Sequence, residues 1–159
     1  FRGRPGPDRI RAACGPRCGR HAMSTRIALV MHDPLGAAFQ ACARHVLGRV
    51  PDLTVFDIEP DADPPIQTGR ILDWMRARGP GEPVLILCDL YGATPFNIAA
   101  QAQRQALEDG YMVHLLTGTN ACMVLKALTD QQENPESFSE RVRQGALRGI
   151  VNAEPPYDC

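Results

Sequence analysis

The sequence lacks the features that would assign it to several common classes of protein. None of its apolar runs approaches the ~18 residues of a membrane span, and no apolar segment follows the arginines near its start, as one would in a signal peptide. The sequence also has no excess of one charge, because it contains 17 Lys and Arg residues and 18 Asp and Glu residues, which gives a net charge of −1. This balance gives no electrostatic reason to expect binding to nucleic acid or to an anionic membrane. We therefore expect a cytoplasmic protein.

Three common catalytic motifs are also absent. The sequence contains no Gly-x-Ser-x-Gly nucleophile elbow, which argues against a serine hydrolase of the α/β type. It contains neither the Gly-x-x-x-x-Gly-Lys-Ser/Thr loop of nucleotide triphosphatases nor the Gly-x-Gly-x-x-Gly turn of dinucleotide-binding proteins. We expect no bound cofactor.

The cysteines argue against a disulfide framework. Cys42, Cys88 and Cys122 lie within apolar helix or strand patterns, where cysteine behaves as a small hydrophobic residue. This placement favours a reducing compartment.

The first 22 residues differ in composition from the rest of the chain. They are rich in Gly, Pro and Arg and show no helical or strand periodicity, so we predict that residues 1–22 are a disordered or non-native extension ahead of Met23. Cys14 and Cys18 are followed by His21, but no fourth zinc ligand lies nearby. We therefore predict no metal site.

From Met23 onward, short apolar runs alternate with amphipathic patterns. The predicted strands cover 27–31, 53–58, 84–88 and 112–116. The predicted helices run from Leu35 to Gly48, from about Ile66 to Ala77, from Thr94 to Gly110, from the cap residue Asn120 to about Leu128, and from Glu136, just after Pro135, to near Gly149. This alternation predicts one α/β domain over 23–151, a doubly wound three-layer αβα sandwich with a mainly parallel four-stranded sheet, and a frayed tail over 152–159.

The chain is most informative where the third predicted strand ends. Val84–Cys88 is apolar throughout, as in a strand buried on both faces, and Asp89 follows it directly. Gly92 permits a tight turn, Thr94 is a good N-cap, and Pro95 suits the first helical position. Ligands of open parallel sheets bind at such turns, although Asp89 could equally serve only to brace the loop.

A histidine follows the first strand at the same edge of the predicted sheet. If the first strand neighbours the third, His32 and Asp89 face each other, and the carboxylate would orient the imidazole and stabilise its charged form. Thr94, at a helix N-terminus, would help to receive an anion such as a phosphoryl group. One chemistry that fits is a histidine that accepts a phosphoryl group and passes it on.

Three stretches resemble the signature sequences of the mannose-family EIIA domain of the sugar phosphotransferase system. They are Arg26–His32, Asp89–Asn97 and Gly118–Met123, and the likeness extends over about Met23 to Val151. The most specific of them is Asp89–Asn97, which reads Asp-Leu-Tyr-Gly-Ala-Thr-Pro-Phe-Asn.

The resemblance implies a histidine phosphocarrier. In that case phospho-HPr would phosphorylate His32, an EIIB protein would accept the group, Asp89 would orient the ring, and Thr94 would help to hold the phosphate. The phosphate or a partner protein would meet Gly92, Ala93 and Asn120. The resemblance further implies a homodimer with an exchanged antiparallel strand, here Gly149–Val151, and contact with the membrane only indirectly, through EIIC and EIID.

One departure from the family pattern leaves other functions open. Members commonly have Gly after the active His, whereas Asp33 and Pro34 stand here, and Asp33 adds a negative charge beside the expected phosphate. A regulatory module that responds to its phosphorylation state without moving sugar is therefore one alternative. Another is the phosphotransferase subunit that serves dihydroxyacetone kinase, although the ending Thr94–Asn97 argues against it.

Overall fold

A computed structural model of the chain describes residues 24–130 and 135–153. The predicted N-terminal extension over 1–22, with its cysteines, and the last six residues of the tail lie outside these ranges. In the described part, no helix is both long and apolar enough to cross a membrane.

The described residues form the predicted alternation of strands and helices. The strands are β1 (Arg26–His32), β2 (Thr54–Ile58), β3 (Val84–Cys88) and β4 (Val113–Leu116), and the helices are α1 (Leu35–Leu47), α2 (Pro64–Arg76), α3 (Thr94–Glu108), α4 (Ala121–Thr129) and α5 (Pro135–Arg148). Helix α2 begins two residues before the predicted start at Ile66. Its first turn is formed by two prolines and capped by Asp63, whose carboxylate accepts a hydrogen bond from the amide of Ile66 at 3.1 Å.

The four strands form a parallel sheet in the order β2-β1-β3-β4, which confirms the α/β prediction and the expected neighbours of the first strand. Val30 pairs with Cys88, so β1 continues two residues beyond the end of β3. The first and third strands therefore bring their final residues together at the centre of the sheet's carboxyl edge, where an open α/β sheet binds its ligands.

Two apolar cores lie on the two faces of the sheet. One contains residues of α2 and α3, and the other contains residues of α1, α4 and α5. Strand β3 is buried over its whole length, from Val84 to Cys88, because both of its faces are covered. Trp74 is a packing residue here, with its ring against Phe56 and beneath the guanidinium of Arg26.

The apolar face predicted for α1 is mostly exposed. The helical spacing of Leu35, Ala38, Phe39, Cys42 and Val46 predicts one apolar face. Of these five residues only Phe39 packs, partly buried, against the core, while Gly36 and Ala43 are the buried residues of the helix. Helix α1 is apolar on two sides, so helical periodicity fits either face, and only packing against the sheet selects one.

Cys122 is exposed as well, so only Cys88 among the three described cysteines behaves as a core residue.

The expected C-terminal strand is not formed within this chain. Residues 150 and 151 have no regular structure, and Ile150 and Val151 are 71% and 73% exposed. Pairing with a second subunit stays a prediction.

Candidate active site

His32 and Asp89 meet at the carboxyl edge of the sheet. His32 is the last residue of β1, and Asp89 directly follows β3. The Nδ1 atom of His32 lies 2.7 Å from Oδ2 of Asp89, and the backbone N–H of His32 donates to the same oxygen at 3.0 Å. A single carboxylate oxygen thus holds His32 at two points, its ring and its backbone amide.

The environment keeps the Asp89 side chain ionised. Its burial by itself would raise the pKa, but the hydrogen bonds from the ring and amide of His32, together with that from the amide of Leu90 at 2.8 Å, hold the pKa of this carboxyl below its usual range. The side chain of Asp89 is 9% exposed, so its negative charge acts on the imidazole with little screening by water.

This contact fixes the chemistry of the histidine ring. Because a carboxylate only accepts hydrogen bonds, Nδ1 carries the hydrogen and Nε2 carries the free lone pair. The His32 side chain is 49% exposed, so an approaching molecule can reach the ring. The arrangement suits Nε2 as a nucleophile, with a carboxylate ready to balance the positive charge that bond formation leaves on the ring.

The turn from β3 into α3 corrects one prediction. Gly92 has a positive φ of 77°, Ala93 is extended and occupies the N-cap position, and Thr94 is the first residue of α3 rather than its cap. The turn closes one residue earlier than expected because the carbonyl of Ala93 accepts from the amide of Asn97, whose side chain donates to the carbonyl of Gly92. No side chain caps α3 and Pro95 has no N–H, so the amides of Thr94 and Phe96 are the ones open to an anion, and the exposed side chain of Thr94 lies beside them.

The N-terminus of α1 is different, because the side chain of Asp57 already occupies it. Its Oδ1 accepts from the amide of Gly36 at 2.7 Å, and its Oδ2 accepts from the amide of Ala37 at 3.0 Å. Sequence reasoning missed Asp57. The only sequence signal was an acidic residue inside a predicted strand whose other residues, apart from Thr54, are apolar.

The loop after β4 braces the end of β3. The amide and the hydroxyl of Thr119 both donate to the carbonyl of Cys88, at 3.2 and 2.7 Å, and the amide of Gly118 donates to the carbonyl of Asp89. The predicted helix cap at Asn120 is confirmed, since its side chain accepts from the amide of Met123 at 2.9 Å.

The side chain of Asn120 is also bound to a second helix. Its carboxamide also donates to the carbonyl of Ala146 in α5 at 3.2 Å. Both polar atoms of the side chain therefore hold helices in place, whereas Gly92, Ala93 and Thr94 lie in the turn that opens toward solvent.

An apolar surface adjoins this turn. Leu90 and Tyr91, directly after Asp89, are 60% and 76% exposed, and the ring of Tyr91 lies 4.8 Å from that of Phe96. Within the described ranges, no group of three or more His, Cys, Asp or Glu residues is arranged to hold a metal ion.

Several solved structures resemble this chain. Among solved structures, the mannose/sorbose specific IIA subunit of the phosphotransferase system from Enterococcus faecalis is 20% identical, with a TM-score of 0.76 over 86% of this chain and 100% of that one. The PTS IIA protein associated with the fucose utilization operon from Streptococcus pneumoniae is 18% identical, with a TM-score of 0.63 over 82% and 93% of the two chains. A sigma-54 interaction domain protein from Enterococcus faecalis is 14% identical, with a TM-score of 0.66 over 80% and 94%.

These likenesses show a shared fold. No curated protein gives a significant match. The family model described as "PTS system fructose IIA component", EIIA-man, matches residues 26–143, which include both His32 and Asp89. The chain therefore belongs to the EIIA-man family of the phosphotransferase system.

Proposed function

We propose that the protein is a histidine phosphocarrier that receives a phosphoryl group from phospho-HPr on Nε2 of His32 and passes it to an EIIB protein. Family membership supports a phosphocarrier role in the sugar phosphotransferase system. The single observation that carries the finer proposal is the 2.7 Å contact between Nδ1 of His32 and Oδ2 of Asp89, which leaves Nε2 as the nucleophilic nitrogen.

The transfer step follows from this geometry. The Nε2 lone pair attacks the phosphorus atom of the donor phosphohistidine, and the donor's P–N bond breaks with its electron pair returning to the donor imidazole. The His32 ring then carries both the new P–N bond and the hydrogen on Nδ1, and its positive charge is balanced by Asp89. Donation to the acceptor is the same step in the other direction.

The turn before α3 provides the groups that would hold the phosphoryl oxygens. Its open amides and the hydroxyl of Thr94 are hydrogen-bond donors, and they lie at the positive end of the helix dipole. Gly92 and Ala93 allow a close approach of the backbone, and the exposed Leu90 and Tyr91 provide an apolar contact for the partner proteins.

Several further parts of the proposal depend on the role of the family and not on a contact in this chain. A phosphocarrier of this kind works in the cytoplasm, needs no cofactor, and reaches the membrane only through EIIC and EIID. We also propose a homodimer, since the side chains of Ile150 and Val151 are exposed and these two residues form no strand with the described part of their own chain.

The direct test is phosphorylation of the purified chain by phosphoenolpyruvate, enzyme I and HPr, followed by intact mass spectrometry. We expect an acid-labile gain of one phosphoryl group, which His32→Ala abolishes. His45→Ala is the matched control, because His45 is an exposed histidine of α1 and lies outside the site. A gain that survives in His32→Ala would refute the site, and no gain in the wild-type protein would refute the phosphocarrier.

A second candidate function is a regulatory module that binds a target according to its phosphorylation state. The similarity to the sigma-54 interaction domain protein favours it, as does the additional negative charge of Asp33 beside the site. Adding EIIB to the phosphorylated chain separates the two functions. A phosphocarrier loses its phosphoryl group to EIIB within the time of the assay, whereas a regulatory module retains it.

A further inference from the structure

We propose that Asp57 is a positioning residue for His32, a role that builds on the proposed function. Asp57 lies on β2, the neighbour of β1 on the side opposite Asp89. Its carboxylate binds the first turn of α1, which begins three residues after His32. The strand that ends in the histidine is therefore restrained from both sides, by Asp89 on β3 and by Asp57 on β2.

The local sequence offers no other cap for α1. Pro34 occupies the N-cap position and provides no side-chain hydrogen bond, and the first turn contains no acidic residue. Asp57 replaces the missing cap from a strand about 20 residues away along the chain, with one carboxylate oxygen on the amide of Gly36 and the other on the amide of Ala37. Removal of this carboxylate leaves both amides without their partner.

A third contact connects the same segment to β2. The amide of Asp33 donates to the carbonyl of Ile58 at 3.1 Å, which continues the pairing of β1 with β2 past His32. The segment from Asp33 to Ala37 is thus held to β2 by one backbone and two side-chain hydrogen bonds. Because His32 immediately precedes this segment, any loosening of the segment changes the orientation of the His32 side chain.

Gly36 shows how closely α1 approaches Asp57. A Cβ atom at position 36 would clash with Oδ1 of Asp57 and would lie 2.7 Å from Cγ1 of Val55. Gly36 has an ordinary helical conformation, so the close approach, and not a positive φ, is what requires glycine. An added methyl group would push the helix away from the carboxylate.

Asp63→Ala is the matched control for Asp57→Ala. Asp63 is the N-cap residue of α2 and accepts one hydrogen bond from the amide of Ile66, and none of its hydrogen bonds reaches the segment after His32. Both variants lose a helix cap, so we expect both to lower the melting temperature by a few degrees. Of these two variants, we expect only Asp57→Ala to change the tautomer of the His32 ring.

The decisive measurement is the ¹⁵N NMR spectrum of the unphosphorylated protein, with the His32 signals assigned by comparison with His32→Gln. The wild-type ring should show the Nδ1–H tautomer, as should Asp63→Ala. In Asp57→Ala the signals should shift toward a mixture of tautomers, and Gly36→Ala should do the same. Gly69→Ala is the control for the glycine variant, because a Cβ at this helical position meets nothing within 4 Å.

Transfer kinetics provide the second measurement. At saturating phospho-HPr, where differences in docking no longer matter, we expect Asp57→Ala to accept the phosphoryl group about 10- to 100-fold more slowly than Asp63→Ala, as misplacement of a reacting group by ~1 Å does. Asp57→Asn, which keeps one acceptor oxygen, should fall between Asp57→Ala and the wild type.

The outcomes separate this inference from the proposed function. If the wild-type protein accepts no phosphoryl group, the phosphocarrier proposal fails, while the NMR spectra still test the positioning by Asp57. If Asp57→Ala and Gly36→Ala retain the wild-type tautomer and match Asp63→Ala in rate, Asp57 is only a helix cap and the positioning role is refuted.

Discussion

The exchange of Asp89 for asparagine tests the central contact of the site with little change in shape. The carboxylate accepts three hydrogen bonds, two from His32 on Oδ2 and one from the amide of Leu90 on Oδ1. An asparagine side chain has one acceptor oxygen, so in its better orientation it keeps the two bonds to His32 and turns an NH₂ group toward the amide of Leu90. The negative charge is lost in either orientation.

The size of the effect follows from these losses. A hydrogen bond to a charged group is worth about 1.5–3 kcal/mol, and the uncharged amide cannot balance the positive ring that forms during transfer. We therefore expect the barrier to rise by about 2–3 kcal/mol, which slows the transfer to His32 by roughly 30- to 150-fold.

The assay is rapid-quench measurement of phosphoryl transfer from phospho-HPr to the purified variant, with circular dichroism to confirm that the domain is folded. Asp109→Asn is the control, because Asp109 pairs with Arg76 on the surface and both side chains are nearly half exposed. A rate for Asp89→Asn equal to that of the wild type and of Asp109→Asn would refute the electrostatic role and leave Asp89 as a brace for the loop.

Three further predictions concern pH, cysteine reactivity and helix capping. Because the folded protein lowers the pKa of Asp89, this residue contributes stability that is fully present above its unfolded value of about 3.9 and is lost as the pH falls through the lower folded pKa. Urea unfolding of the wild type should show a loss of stability toward acid pH, and the loss should be smaller in Asp89→Asn, which keeps other carboxyls with lowered pKa such as Asp130. A thiol reagent applied to the native protein should modify the exposed Cys42 and Cys122 and spare Cys88. Burial and the neighbouring carboxylate raise the pKa of the Cys88 thiol to about 12. Peptide mass mapping measures the modification, and labelling of Cys88 would contradict the prediction. Asn120→Ala removes the cap of α4 and should lower the free energy of unfolding by about 1–2 kcal/mol in urea titrations. The ¹⁵N NMR signals of His32 should stay unchanged. Altered signals would place Asn120 in the site.

The sequence predicted the parts of the structure that depend on simple physical rules. Residues 84–88 are apolar without interruption, and so short a run favours a strand covered on both faces, which the structure has as β3 within these bounds. The meeting of His32 with Asp89 followed from the common direction of parallel strands, which places their carboxyl ends at one edge of the sheet.

The parts that were not predicted depend on contacts between distant segments. The cap that Asp57 provides for α1 connects residues 20 and 21 positions apart, and no local pattern reports such a contact. The buried face of α1 was also decided by the sheet, because the helix is apolar on two sides. At α3, local preference favoured Thr94 as the cap, but the positive φ of Gly92 lets the helix begin one residue earlier.

The use of one oxygen of Asp89 for both the ring and the amide of His32 has a consequence for the entropy of transfer. The two hydrogen bonds close a small loop through the side chain, which holds the imidazole in one rotamer before any partner arrives. Immobilising a free side chain in an encounter complex costs about 0.5–1.5 kcal/mol of conformational entropy. The His32 side chain is already immobilised in the folded protein, so this cost does not add to the barrier. Because the restraint is the same before and after the phosphoryl group is bound, it lowers the barrier equally for uptake and for donation.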